Sequence, residues 1–350
     1  MSSRSDIAFL WSGLPDYAAR CIGHLIVDTN CAVDVIATRP RVPIEGMEES
    51  LGQKIHWLDD RQEKISWDKF GLAPPKLLFV SGYAIPAFNS LADQARSLGT
   101  SVVLLSDHNW QRTLRQRFLD PIRHRLLINH KFDGLFVPGA AGRVLGEHCG
   151  FKPNDICEGL YGADSSLFAP ELPLESREKR MLFVGQFIDR KNILGLVSAF
   201  RRFSDEHPEW TLDLCGSGPQ RDQIEAHPKL IIHDFVQPPE LAKLMASSRV
   251  LVLPSLEEHW GLVVHEAASS GCALLTTDNV GAGHDLIRPE NGIQFPAGDE
   301  AAIYGALLEL AGWQHEQWVE AGQYSLSVAA NFGPKRFTES VKKFQLKLNG

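Results

Sequence analysis

Sulfur chemistry has little to work with in this chain. Its 350 residues carry six cysteines, Cys21, Cys31, Cys149, Cys157, Cys215 and Cys272, with no CxxC pair among them. That scatter excludes a disulfide framework and a thiolate zinc site, and reads as buried thiols in a reducing compartment. Long apolar runs are missing too. No window approaches the roughly 18 apolar residues of a membrane span. The opening stretch MSSRSDIAFLWSGLPDY has only a short apolar run before Pro15, too brief for a signal h-region. The expected location is cytoplasmic. No two aspartates stand two apart, and no HExxH or Cys-His cluster occurs among the 13 histidines, so no metal site is expected. GxSxG is absent, which leaves a serine nucleophile unsupported. GSGPQR (216–221) lacks the third glycine of a dinucleotide fingerprint, which argues against a nicotinamide cofactor. A basic excess is lacking as well: the formal charge of −8 argues against general nucleic-acid binding.

What is present is a globular composition, 44% hydrophobic and 22% charged, at a length that favours two domains. Short β-rich runs recur: 7–11, 33–37, 76–80, 101–105 and 133–137 in the first half, then 180–184, 211–215, 230–233, 249–253 and 273–277. They alternate with longer helical stretches, the pattern of parallel sheets built from βαβ units. FAPELPLESREK (168–179), rich in proline and charge, is the best joint between the sets. The expected organisation is a Rossmann-like domain over 1–168, a linker over 169–179, a second Rossmann-like domain over 180–332, and a C-terminal helix over 333–350. That helix opens with Pro334 and can pack back on the first domain. Ligands of such folds sit at the carboxyl ends of the strands, and two domains facing each other make a cleft.

PSLEEHWGLVVHEAASSG (254–271) carries the chemistry. A strand ends near Ser255 and a helix begins near Gly261, whose first-turn amides suit phosphate or clustered hydroxyls. Gly261 would let a ligand approach the backbone. Glu258 in the loop and Glu266 two turns on are acceptors for hydroxyl groups. Taken singly, each acid is as well explained by a helix dipole or a basic neighbour.

The segment 254–278 resembles the signature of glycosyltransferase family 4, retaining enzymes of the GT-B fold. Two acids eight positions apart, Glu258 and Glu266, flank an aromatic-glycine pair, Trp260 and Gly261. LFVGQFIDRKNILGLVSAF (182–200), LDLCGSGPQ (212–220) and ENGIQFPAGD (290–299) resemble further family elements in the family's order. The resemblance implies that Lys191 contacts the diphosphate of a nucleotide-sugar co-substrate, beside Gly185 and Gly216, with no other cofactor. It implies that Glu266 takes the ribose hydroxyls and Glu258 the transferred sugar, and that the amides of Trp260, Gly261 and Leu262 meet sugar or phosphate oxygens. Two positions depart from the pattern. Gln186 stands where the family has an arginine, and His259 where a glycine is common. Arg190, adjoining Lys191, is the donor-binding residue that would substitute for the missing arginine, although neighbours in a loop or helix start do not usually face the same way.

In the first half, LLSDHNWQRTL (104–114) resembles the family's turn beside donor sugar and acceptor, which implies a catalytic role for His108 with Asp107 and Asn109 as neighbours. A capping cluster explains it equally. Gly13 in SGLPDY (12–17) fits a cleft-lining loop or an ordinary βα turn. Residues 112–131 hold six Lys or Arg against one acid. They read as a surface for anionic lipid at an inner membrane face, a solvated helix face, or an acceptor phosphate site. The expected activity is metal-independent, retaining transfer of a sugar to a hydroxyl of a glycan or glycolipid. A GT-B-like nucleotide-sugar epimerase and a degenerate nucleotide- or glycan-binding family member are the alternatives.

Overall fold

The structure is a computed structural model that describes residues 4–40, 46–59, 61, 64–111 and 113–348. The chain forms two compact units, Met1–Gly162 with Phe332–Gly350, and Ala163–Asn331. The first is a seven-stranded sheet in the order β3-β2-β1-β4-β5-β6-β7. Its strands are β1 (Ile7–Trp11), β2 (Val33–Ala37), β3 (His56–Trp57), β4 (Leu77–Ser81), β5 (Ser101–Leu105), β6 (Gly134–Val137) and β7 (Ile156–Glu158), all parallel. The second is a parallel six-stranded sheet, β10-β9-β8-β11-β12-β13. It comprises β8 (Arg180–Val184), β9 (Thr211–Cys215), β10 (Leu230–His233), β11 (Val250–Leu253), β12 (Ala273–Thr277) and β13 (Gly292–Phe295). The ten strands read from apolar runs are present within a residue. β3, β7 and β13 are additional, and all three lie at sheet edges.

Helices cover the sheets: α1 (Asp16–Thr29), α2 (Met47–Leu51), α3 (Pro86–Ser97), α4 (Asp120–Arg123) and α5 (Ala140–His148) in the first unit, then α6 (Ile193–Glu206), α7 (Pro238–Ser247), α8 (Leu262–Ser269), α9 (Gly281–Leu286), α10 (Glu300–Ala311) and α11 (His315–Ala329) in the second. α4 lies within a longer helical segment, 114–131, that includes two π-helical stretches. The last helix, α12 (Pro334–Leu348), belongs to the first unit. It lays Phe337 against Phe9 and Phe136, at ring centroid distances of 5.9 and 5.4 Å, and Phe344 against Phe79 at 5.7 Å. Arg336 of α12 and Arg143 of α5 both reach the Glu158 carboxylate at 2.6 Å, which ties the helix to the β7 edge. The stretch 169–179 packs with the second unit: Leu174 is buried, and the buried Arg177 guanidinium donates to the carbonyls of Leu172, Ser248 and Ser270. A cation so placed is stabilised by the carbonyl cluster around it.

In each sheet the order of the strands reverses once, between β1 and β4 and between β8 and β11. Crevices that take ligands open outside the carboxyl ends of the strands at such switch points. In the second unit β8 pairs with β9 over five residues but with β11 only through Met181 and Leu182, so β8 and β11 part towards their carboxyl ends.

Candidate functional site

The loop after β8 is held by backbone contacts that only glycine permits. Gly185 N–H donates to Cys215 O at 3.0 Å and Phe187 N–H to Ser217 O at 2.9 Å, which staples this loop to the one after β9. A Cβ on Gly216, at φ +143°, would lie 1.9 Å from Gly185 O. Cys215 stands next to it, but burial pushes that thiol up to about 12, so it is no nucleophile at neutral pH. The loop then closes in a 3-10 turn, Asp189–Lys191, ending on Asn192 in the left-handed region at φ 51°.

That turn sets the charges. Lys191 Nζ contacts Glu258 Oε2, and Arg190 Nη1 lies 3.7 Å from the same oxygen while donating to Glu257 O at 2.8 Å. The side chains of Lys191 and Glu258 are 12% and 13% exposed, so this pair is largely withdrawn from water. Here the structure corrects the expectation that adjacent cations would diverge. The tight turn brings both Arg190 and Lys191 to one carboxylate, and Leu256 N–H clamps it by donating to Arg190 O at 2.8 Å. Gln186 is exposed on the same loop. Gly185 lies alongside the lysine stem: a Cβ there would be 3.6 Å from Lys191 Cε.

Glu258 itself is placed by an isolated bridge to Val280. Gly261 follows at φ +85°, where a Cβ would meet Glu258 Cγ at 3.0 Å and Val280 Cγ1 at 3.2 Å. The glycine is therefore demanded by the fold's own packing, a cause different from the ligand approach expected of it. Gly261 is the N-cap of α8. Val264, His265, Ala267, Ala268 and Ser269 of that helix are buried, and Leu262, Val263 and Glu266 are its partly exposed positions. A helix apolar on most sides keeps one open strip, and the carboxylate of Glu266 sits on it, one turn beyond Leu262. In the first turn of α8, Val264 N–H donates to Gly261 O at 2.9 Å, and the amides ahead of it have no acceptor within the helix. Trp260 is buried, and its carbonyl accepts from Ala282 N–H at 2.8 Å.

In the first unit, Gly13, Asp107 and His108 line one cavity of about 340 Å³ at the carboxyl ends of β1, β4 and β5. Gly13, at φ +64°, donates its N–H to Thr38 Oγ1 at 2.7 Å, and Ser12 N–H donates to Ser81 Oγ at 2.8 Å across the switch point. His108 is exposed, with Nδ1 3.5 Å from Ser106 Oγ and 3.6 Å from Asp107 Oδ1. Asn109 is not with them: it is buried, and its carbonyl accepts from Gln116 Nε2 at 2.8 Å. Neither Asp107 nor Asn109 caps a helix, because 106–111 is irregular and the helical segment begins at Leu114. The same cavity has an aromatic lining that the sequence pattern does not single out, Tyr17, Tyr83 and Tyr161, with the rings of Tyr17 and Tyr161 4.8 Å apart. The signal for Tyr83 was available, since it follows a strand at the switch point. Arg112 lies outside the described residues. Among the described residues there is no group of His, Cys, Asp and Glu able to hold a metal ion, and no helix long and apolar enough to cross a membrane.

Comparison with known proteins bears on the second unit and on the fold. Residues 178–312, the greater part of the second unit, match the family model described as glycosyl transferases group 1. An uncharacterised glycosyltransferase of Methanocaldococcus jannaschii is 28% identical over 179 residues, 49% of this chain and 45% of its own. Glycogen synthase of Mycobacterium tuberculosis is 29% identical over 179 residues, covering 45% of this chain and 43% of its own. The chain thus spans less than half the length of these curated relatives. Among solved structures, Anabaena HepE in complex with UDP and glucose is similar at a TM-score of 0.74 and 13% identity, over 97% of this chain and 99% of that one. The pneumococcal O-GlcNAc transferase GtfA, in complex with UDP and GlcNAc, is similar at 0.77 and 13% identity, over 99% and 100%. Likeness at this level is one of fold: two Rossmann-like units of the GT-B class.

Proposed function

We propose that this chain is a retaining, metal-independent glycosyltransferase, similar to family 4, that moves a sugar from a nucleotide-diphosphate donor to a hydroxyl of a glycan or glycolipid. The observation that carries the reading is the convergence of Lys191, Arg190, Glu258 and the Gly261 end of α8 at the switch point of the second sheet. In this reading Lys191 exchanges its contact with Glu258 for the donor diphosphate. The leaving group is then stabilised by the lysine, by Arg190 in the place of the cation that Gln186 cannot supply, and by first-turn amides. Glu258, freed of the lysine, accepts hydroxyls of the transferred sugar, and Glu266 accepts those of the ribose. Gly13, Asp107 and His108 serve the acceptor. Peripheral membrane contact through 112–131 would bring a lipid-linked acceptor to them. UDP-sugars are the first donors to test, because the two solved structures named above were obtained with UDP.

The experiment is release of free nucleoside diphosphate from a panel of donors, with and without a chelator, beside Lys191→Ala and Glu266→Ala. Expected is release from one donor, unchanged by chelator and at least roughly tenfold slower in both variants, the scale of a lost charged hydrogen bond. Sugar isomerisation without an acceptor would show an epimerase instead. Donor binding with no turnover would show a degenerate member, with Gln186 the first residue to revert to arginine.

A further inference from the structure

The helical segment 114–131 wears its polarity inside out. Towards its own unit it buries Gln116, Pro121 and Ile128 and half-buries Asp120 and His124. The inward glutamine is held by two bonds, donating to Asn109 O at 2.8 Å and accepting from Gln111 N–H at 2.7 Å. Outward stand Leu114, Phe118, Leu119, Ile122, Leu126 and Leu127, each between 59% and 74% exposed. They are six of the fifteen large apolar side chains exposed among the described residues, gathered within one short stretch. The fourfold spacing of positions 114, 118, 122 and 126 keeps them on one face of a helix. A helix face meant for water carries charges there, and a contiguous apolar patch of this kind marks a contact surface.

Charge names the partner. Arg117 and Arg125 are exposed among these side chains, while Arg115, which holds Asp120, the acid of the stretch, at 3.2 Å, and Arg123 turn towards the unit's own cavity. This concentration of cations sits on a chain whose formal charge is −8. An apolar strip flanked by arginines is complementary to an anionic bilayer surface, with phosphates at the height of the guanidinium groups and acyl chains beneath. We propose that the outward face of 114–127 docks on an anionic lipid bilayer, its six apolar side chains entering the boundary between headgroups and acyl chains. The opposite side of the same segment, through Arg115, Arg123 and His124, lines a cavity of about 90 Å³ together with Tyr83 and His108. Tyr83 and His108 also line the 340 Å³ cavity at the strand ends. The proposal extends the transferase reading to a lipid-borne acceptor, but the docking itself requires no catalysis, so the two fail separately.

The test is co-sedimentation of the full chain with phosphatidylcholine vesicles, with and without phosphatidylglycerol, beside Phe118→Asp/Leu126→Asp and Arg117→Gln/Arg125→Gln. These side chains are exposed and do not line either cavity, so folding and donor release without lipid are expected to be unchanged. Expected is binding to the anionic vesicles only, weakened by salt. Loss of two arginines weakens it roughly 30-fold, from about fivefold for each basic residue at an anionic surface. The aspartate pair abolishes it. Equal partition of wild type and the aspartate pair, or no binding to anionic vesicles, overturns the proposal. So does a concentration-dependent oligomer that the aspartate pair dissolves, which would show a second copy of the chain as the occupant.

Discussion

At the scale of the residue, position decides what glycine is for. Gly216 and Gly305 are the same residue under opposite constraints. The first is at φ +143° with its missing Cβ aimed 1.9 Å from a backbone carbonyl, whereas nothing lies within 4 Å of the second, which is exposed in the middle of α10. Gly216→Ala should therefore cost about 2 kcal/mol or more, since neither backbone can yield cheaply. Gly305→Ala should add about 0.5–1 kcal/mol by raising helix propensity. Chemical denaturation of the two variants checks both signs, and a stabilising Gly216→Ala would show that the loops after β8 and β9 are not stapled as described. The same scale shows what was legible. Lys191, Glu258 and Glu266 stand out by pattern, but nothing in a linear pattern says that Lys191 and Glu258, 67 positions apart, touch. That follows from a tight turn whose last residue takes a left-handed conformation.

At the scale of the element, strand legibility follows burial at the centre of the sheets, while the half-exposed edge strand LIIH is read from its apolar run. Central strands such as IAFLW and VLVL are buried at every position and read directly as apolar runs. His56–Trp57, Ile156–Glu158 and Gly292–Phe295 are short edge strands with half-buried positions, so they carry no such run. α8 shows a further element-scale device. His265, buried within it, accepts from Ala163 N–H at Nδ1, 2.9 Å away, and lies 3.1 Å from Ala329 O at Nε2. That arrangement assigns the proton to Nε2. One ring thus joins the helix beside Glu266 to the first residue of the second unit and to the end of α11. His265→Leu strands a buried N–H and a buried carbonyl, and should cost about 2 kcal/mol or more. Urea unfolding at unchanged slope reads the loss, and a change under about 0.5 kcal/mol would mean that these groups find other partners.

At the scale of the whole molecule, the two units differ in how they announce themselves. The second carries a family match across most of its length, residues 178–312. The first resembles solved structures in fold, and its aromatic-lined cavity was not legible, because its residues come from four separate loops joined only by the sheet. α12 belongs to it, although the whole second unit precedes that helix in the chain. We propose that the switch point of the second sheet holds a nucleotide diphosphate through Lys191 and Glu266. Calorimetric titration of UDP, then of other nucleoside diphosphates, into wild type, Lys191→Ala, Glu266→Ala and the exposed-surface control Glu225→Ala tests it most directly. Saturable binding to wild type and control, weakened roughly 10- to 100-fold in the other two, is the predicted result for a lost charge-assisted bond. Equal affinity in all four, or no binding of any nucleotide, would contradict it.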